Sequence, residues 1–143
     1  MSRGLGRGRT LIALGSVLTI CSIPLAWLRA GGTVLEVPAW TGQGGGLAVL
    51  AIFVAAVAML ALIVVPFATR SGSFWLDRGI AYVLLLALGL VGLVAKVIEL
   101  LGTEGSISLA PLDAPGLWLA VTGMGLATWG VLELLAERRD DGL

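Results

Sequence analysis

Apolar residues fill four long stretches of the chain, and short glycine-rich or polar segments separate them. These stretches are residues 10–28, 46–67, 79–101 and 115–136. An α-helix rises 1.5 Å per residue, so about 20 apolar residues cross the hydrocarbon core of a bilayer. The pattern predicts an all-α membrane protein, a four-transmembrane-helix bundle of up-down-up-down topology. The whole chain, residues 1–143, is expected to form this single membrane domain.

The composition agrees with a membrane location and excludes several functional classes. The chain is 58% hydrophobic and 13% charged, whereas about a quarter of the residues of soluble domains are charged. Nine basic and nine acidic residues cancel, so no basic surface is expected to attract nucleic acid. Histidine is absent, Cys21 is the one cysteine, and no catalytic or phosphate-binding motif is present. We therefore expect no enzyme activity, no cofactor and no metal site.

The first apolar stretch follows a basic start, "MSRGLGRGR", and so has to be distinguished from a signal peptide. Its apolar core is about 18 residues long, whereas the apolar region of a signal peptide has 7 to 15. No small-x-small cleavage site follows it. We interpret it as an uncleaved first span.

The distribution of basic residues predicts the orientation. Lys and Arg concentrate on the cytoplasmic side of membrane proteins, and an inside amino terminus puts seven of the nine there. Both termini are then cytoplasmic. Arginine outnumbers lysine eight to one and asparagine is absent, which fits a GC-rich coding sequence and hence the plasma (inner) membrane of a bacterium. The seven residues are Arg3, Arg7, Arg9, Arg70, Arg78, Arg138 and Arg139.

Small residues recur on one face of each predicted helix, at alternating spacings of three and four. Helices in lipid associate through close backbone approach at small residues, so these faces are candidate packing faces. The alternative is that Gly and Ala are simply abundant. The residues are Gly15, Thr19, Ser22 and Ala26 in the first span; Ala48, Ala51, Ala55 and Ala58 in the second; Gly89 and Gly92 in the third; and Gly116, Ala120, Gly123, Ala127 and Gly130 in the fourth.

Two charged residues, Lys96 and Glu99, interrupt the third apolar stretch within "GLVGLVAKVIELLG". They are three positions apart, so they are neighbours on one helix face. Lys96 lies about five residues, roughly 7 to 8 Å, from the predicted outer end of the helix, where a lysine can extend its ammonium group to the interface. Two interpretations stay open: an intramembrane ion pair that fixes the packing, or a functional site at an outer mouth.

The two predicted outer loops each contain a short β-prone segment, "TVLEV" at 33–37 and "SISL" at 106–109. Either they pair as a small extracellular sheet over the bundle, or the loops are irregular. Trp40, in "PAW", is a candidate outer-loop contact for lipid or a partner.

The arrangement of spans and loops resembles that of uncharacterised small four-span membrane proteins of bacteria. The resemblance covers the whole chain: a first span ending in Pro24 and Trp27, a glycine-rich outer loop with Trp40, an Arg-bearing inner turn and two further spans. It implies a location and little about activity.

Two hypotheses follow. One is a non-catalytic accessory, scaffold or self-associating subunit of a membrane assembly, with other membrane subunits and the lipid bilayer as partners; the other is a small oligomeric transporter or channel with Lys96 and Glu99 at its outer mouth.

Overall fold

The computed structural model of the protein describes residues 6–30, 35–38, 45–68, 78–102, 107–108 and 110–141. Within these ranges the chain forms four helices, namely α1 (Arg7–Ser22), α2 (Gly45–Ala68), α3 (Arg78–Leu101) and α4 (Pro115–Asp141). Three of these contain segments long and apolar enough to cross a membrane: Gly46–Val65, Gly79–Leu101 and Pro115–Glu137. The chain is thus a helical bundle with the features of a multi-pass membrane protein.

The predicted first span is wrong at its carboxyl end, because α1 ends at Ser22 and not near residue 28. Pro24 has no N–H to continue the helical hydrogen bonds. The chain instead forms tighter turns, in which each N–H bonds to the carbonyl three residues earlier: Ile23 N–H to the Ile20 carbonyl and Leu25 N–H to the Ser22 carbonyl, both at 3.2 Å. The 16 residues of α1 extend about 24 Å, less than the roughly 30 Å of a hydrocarbon core.

A small antiparallel sheet follows α1 directly. Its strands are β1 (Ala26–Ala30), β2 (Leu35–Pro38) and β3 (Ile107–Ser108), in the order β2-β1-β3. The segments predicted to pair with each other therefore do not pair directly, because each is hydrogen-bonded to β1. The first three residues of the central strand, 26–28, are ones that the hydropathy pattern assigns to the first span.

The helices pack as a ring in which α1 contacts α4 and α2, and α3 contacts α2 and α4. Gly92 of α3 lies beside Ala48 and Gly89 beside Ala55, so α2 and α3 are antiparallel. Because β3 lies between α3 and α4 in the chain and pairs with β1, the end of α3 and the start of α4 lie at the end of the bundle that carries the sheet. We call this the sheet end, and the other the opposite end.

The core lies along the axis of this ring. The largest apolar side chains that are almost fully buried come from α1, α2, α4 and β1. They are Ile12, Trp27, Ile52, Met59, Met124 and Val131.

Candidate functional site

The closest helix contact in the described part of the chain joins α1 to α4 at three levels. Gly8 faces Gly130, Gly15 faces Gly123, and Ser22 faces Gly116. A Cβ atom added to Gly8 would lie 2.9 Å from the Gly130 carbonyl oxygen, and one added to Gly123 would lie 2.7 Å from the Gly15 carbonyl oxygen. One added to Gly116 would lie 2.8 Å from the Ser22 carbonyl oxygen. The backbones are therefore in direct contact, and a side chain does not fit between them.

The facing residues repeat every seven positions on both helices, which indicates a left-handed antiparallel pair. Ala120 and Ala127 lie between the glycine levels and are fully buried. Backbone approach this close also permits Cα–H···O contacts, which recur at helix–helix interfaces. We call the set of Gly8, Gly15, Ser22, Gly116, Ala120, Gly123, Ala127 and Gly130 the glycine seam. It contains all five residues predicted as the packing face of the fourth span.

Three buried hydroxyl groups of α1 lie along the glycine seam. Thr19 Oγ1 donates to the Gly15 carbonyl at 2.8 Å, and Ser22 Oγ donates to the Thr19 carbonyl at 2.6 Å. The Ser16 hydroxyl is buried and has no hydrogen-bond partner among the described residues. Since Thr19 and Ser22 bond within their own helix, these hydroxyls form no polar path across the bundle.

Trp27 closes the glycine seam at the sheet end. The register of β1 against β2 shifts between Ala26 and Leu28, which makes Trp27 the extra residue of a bulge. Its side chain is only 1% exposed, its Nε1 donates to the Ser22 carbonyl at 2.8 Å, and its ring packs beside Gly116. The indole thereby caps the end of α1, where carbonyl groups lack helical partners. The hydropathy pattern indicates an aromatic residue near the membrane boundary but not this cap.

The two glycines of α3 contact different neighbours. A Cβ atom on Gly92 would lie 2.8 Å from the Ala48 carbonyl oxygen of α2, which is a backbone contact. A Cβ atom on Gly89 would meet the terminal methyl group of Met124 in α4 and lie 3.2 Å from the Ala55 side chain. Gly92 therefore sets the distance between α2 and α3, whereas Gly89 leaves room for a methionine side chain.

Lys96 and Glu99 lie close together near the sheet end. Lys96 Nζ is 3.1 Å from Glu99 Oε2, and the side chains are 1% and 28% exposed. Lys96 lies on the buried stripe of α3 with Leu93 and Leu100. The protein covers the Lys96 side chain almost completely, so its ammonium group lies within the bundle beside Glu99.

Glu133, the charged residue within the predicted fourth span, lies too far from this pair to form a proton relay with it. Gly89 and Met124 are in register; Lys96 lies about 10 Å from that level toward the sheet end, and Glu133 about 14 Å toward the opposite end. The described residues contain no group of three or more side chains able to hold a metal ion. Trp40, the candidate outer-loop contact, lies outside the described residues.

A second ion pair was not predicted from the sequence. It joins Arg7 Nε of α1 to Glu133 Oε1 of α4 at 3.7 Å, at the opposite end of the bundle. The two residues are far apart in the sequence, and the antiparallel register of the glycine seam brings them together. Equal seven-residue spacing of small residues in the first and fourth spans was the available signal for that register.

Comparison with known proteins adds no family assignment to this geometry. No protein family model, curated protein or solved structure matches the chain.

Proposed function

We propose that the protein is a non-catalytic integral membrane protein that acts as an accessory, scaffold or self-associating subunit of a membrane assembly. It crosses the bacterial plasma (inner) membrane four times, with both termini in the cytoplasm and the β-sheet on the outer side. The bias of Lys and Arg toward the termini and the 69–78 turn supports this orientation. The three long apolar helices support the membrane location.

The observation that carries the proposal is the closed interior of the bundle. Backbone contact seals α1 against α4, and the buried cation in the described core, Lys96, is paired with Glu99 on the same helix. A transport path needs polar or ionisable groups that follow one another across the membrane. The packing supports a structural role more than a transport role.

Outward-facing aliphatic side chains give the bundle a surface for lipid or for other membrane subunits. Large apolar residues of α2 and α3 are exposed along much of both helices. In a bilayer such a surface is stable against lipid, and association depends on the fit of the partner. Examples are Leu50, Phe53, Val57, Leu84, Val91 and Ile98.

Native mass spectrometry after mild detergent extraction from the native membrane tests the subunit role. We expect the chain to be recovered with a second copy or with another membrane protein at a fixed ratio. Recovery as a lone monomer in several mild detergents would contradict the proposal.

Cysteine labelling from outside the cell tests the orientation, because positions 41 and 73 flank the second span. In a Cys21→Ala background, we expect Thr41→Cys to react with a membrane-impermeant thiol reagent and Ser73→Cys to react only after permeabilisation. Labelling of Ser73→Cys in intact cells would contradict the orientation.

The alternative function is a small oligomeric transporter or channel with Lys96 and Glu99 at its outer mouth. One observation favours it: Glu99 is partly exposed while its partner Lys96 is buried, so the pair connects the core to the surface at the sheet end. Ion flux into proteoliposomes that is lost in a Lys96→Ala, Glu99→Ala double variant would support this function. Flux that is absent, or unchanged in the variant, would contradict it.

A further inference from the structure

An open groove runs along α4 at the opposite end of the bundle, far from Lys96. It has a volume of about 370 Å³ and is lined by Arg7, Trp129, Leu132, Glu133 and Ala136. The four residues from α4 lie at spacings that form one helix stripe. The volume is within the range of small-molecule sites, about 300 to 1,000 Å³.

The groove carries one charge of each sign side by side. Arg7 Nε is 3.7 Å from Glu133 Oε1, and the Arg7 side chain is 82% exposed. The guanidinium group has five N–H donors, so contact through Nε leaves its outer edge available to a planar or tetrahedral anion. Glu133 Oε2 is buried and has no hydrogen-bond partner among the described residues. Rotation about the broad terminal torsion of a glutamate can present either oxygen to a donor in the groove.

The polar and apolar parts of the groove are arranged along the membrane axis. Arg7 and Glu133 lie near the end of the apolar segment Pro115–Glu137, and Trp129 lies one turn, about 6 Å, further toward the middle of the bundle. The Trp129 and Leu132 side chains are well exposed on the same stripe. A ligand that fits has charged groups at one end and an apolar body extending inward from them, as a lipid does.

We propose that this groove binds one ethanolamine phospholipid of the surrounding leaflet. The phosphate accepts hydrogen bonds from Arg7, the primary ammonium donates to the Glu133 carboxylate, and an acyl chain packs along Leu132 and Trp129. An anionic glycerol headgroup would bring no cation of its own to Glu133, and a choline headgroup has no N–H to donate. The proposal rests on the membrane location and not on the subunit role, because bound lipid is counted per chain.

The test is native mass spectrometry of the full chain with equal amounts of ethanolamine, choline and glycerol phospholipids of identical acyl chains. We expect one retained ethanolamine lipid per chain, at about fivefold or more over each of the other two, since charge-assisted hydrogen bonds are the stronger ones. Arg7→Ala should lower this retention about tenfold. Arg9→Ala, which removes the same charge two positions away on α1 and outside the groove, should leave it unchanged.

Glu133→Gln tests the headgroup assignment separately, because it keeps the shape of the side chain and removes its charge. We expect this variant to retain ethanolamine and choline lipids about equally. Equal retention of all three lipids by the unmodified chain, equal effects of Arg7→Ala and Arg9→Ala, or unchanged discrimination in Glu133→Gln would each overturn the proposal. Displacement of the lipid by water-soluble phosphoethanolamine at equal concentration would overturn its lipid part. Circular dichroism of each variant verifies that the helices are intact.

Discussion

The two antiparallel helix pairs of this protein are held together in different ways. In the pair α1 and α4, backbone faces backbone at three levels of the glycine seam. In the pair α2 and α3, Gly92 makes one comparable backbone contact, and alanine and larger aliphatic side chains fill the rest. The apolar segments of α2 and α3 are long enough to cross lipid on their own, whereas α1 has only 16 residues. The short helix therefore depends on its neighbour more than the long ones do.

Among the changes that test this difference, replacing Gly123 with Leu should cause the largest loss of stability, at the contact between α1 and α4. The new side chain would collide with the Gly15 carbonyl and the Thr19 hydroxyl, both fixed in α1. Overpacking typically costs about 1 to 3 kcal/mol and occasionally more, and we expect the upper end because backbone cannot move aside. Denaturation in SDS, followed by circular dichroism, measures the loss.

Gly125→Leu is the matched control for Gly123→Leu. Gly125 lies two positions away on the same helix, and a Cβ atom there would meet nothing within 4 Å. We expect this variant to be as stable as the unmodified chain or slightly more so, because glycine lowers helix stability. Equal losses from the two leucine variants would disprove the glycine seam.

Lys96→Met should give the next largest loss, and it tests whether the ion pair supports the α2–α3 half of the bundle. Removing one partner of a buried pair costs about 3 to 5 kcal/mol, and the partial exposure of Glu99 places the expected loss near or below the lower value. The double variant Lys96→Met, Glu99→Gln should be more stable than Lys96→Met alone. Additive losses in this double-mutant cycle would show that the pair is not coupled.

A smaller difference in stability is expected between alanine substitutions at the two glycines of α3. Gly92→Ala places a methyl group against the Ala48 carbonyl, whereas Gly89→Ala meets the flexible end of Met124. We expect Gly92→Ala to cost about 1 to 2 kcal/mol and Gly89→Ala less than about 1 kcal/mol. SDS denaturation of the two alanine variants measures both losses of stability. A larger loss at Gly89 would contradict the conclusion that Gly92 sets the distance between α2 and α3.

Apart from the comparison variant Gly89→Ala, the smallest expected loss of stability is that of Trp27→Phe, which removes the cap on the Ser22 carbonyl but keeps an aromatic ring. The loss of one buried hydrogen bond should cost about 1 kcal/mol. Trp129→Phe is the control, because Trp129 is largely exposed and should tolerate the change. If thermal denaturation in detergent shows equal shifts for both variants, the cap contributes nothing.

The sequence predicted the helices well where hydropathy alone determines them. The predicted second, third and fourth spans end within a few residues of the segments that the structure identifies as able to cross a membrane. The small-residue faces of α3 and α4 also lie in helix contacts, because close packing in lipid selects for small side chains at such positions.

The end of α1 could not be predicted in this way, because hydropathy does not distinguish an apolar helix from an apolar strand. Leu25 and Leu28 extend the first apolar stretch, yet the chain turns at Pro24 and continues as β1. The sheet pairing was missed for the same reason, since the first three residues of its central strand were assigned to the helix. The Arg7–Glu133 groove depends on the register of two helices that are far apart in the sequence, and a periodic pattern on each helix leaves that register undetermined.

The seven-residue repeat of the glycine seam also makes its alignment ambiguous. If α1 slid by two turns, about 10 Å, glycine would again face glycine at two of the three levels. What prevents this slippage must therefore lie at the extremities: the indole of Trp27 over the Ser22 carbonyl at one, and the Arg7–Glu133 pair at the other. The contacts at the two ends of the helix pair therefore set the register that the repeating glycines along its length leave open.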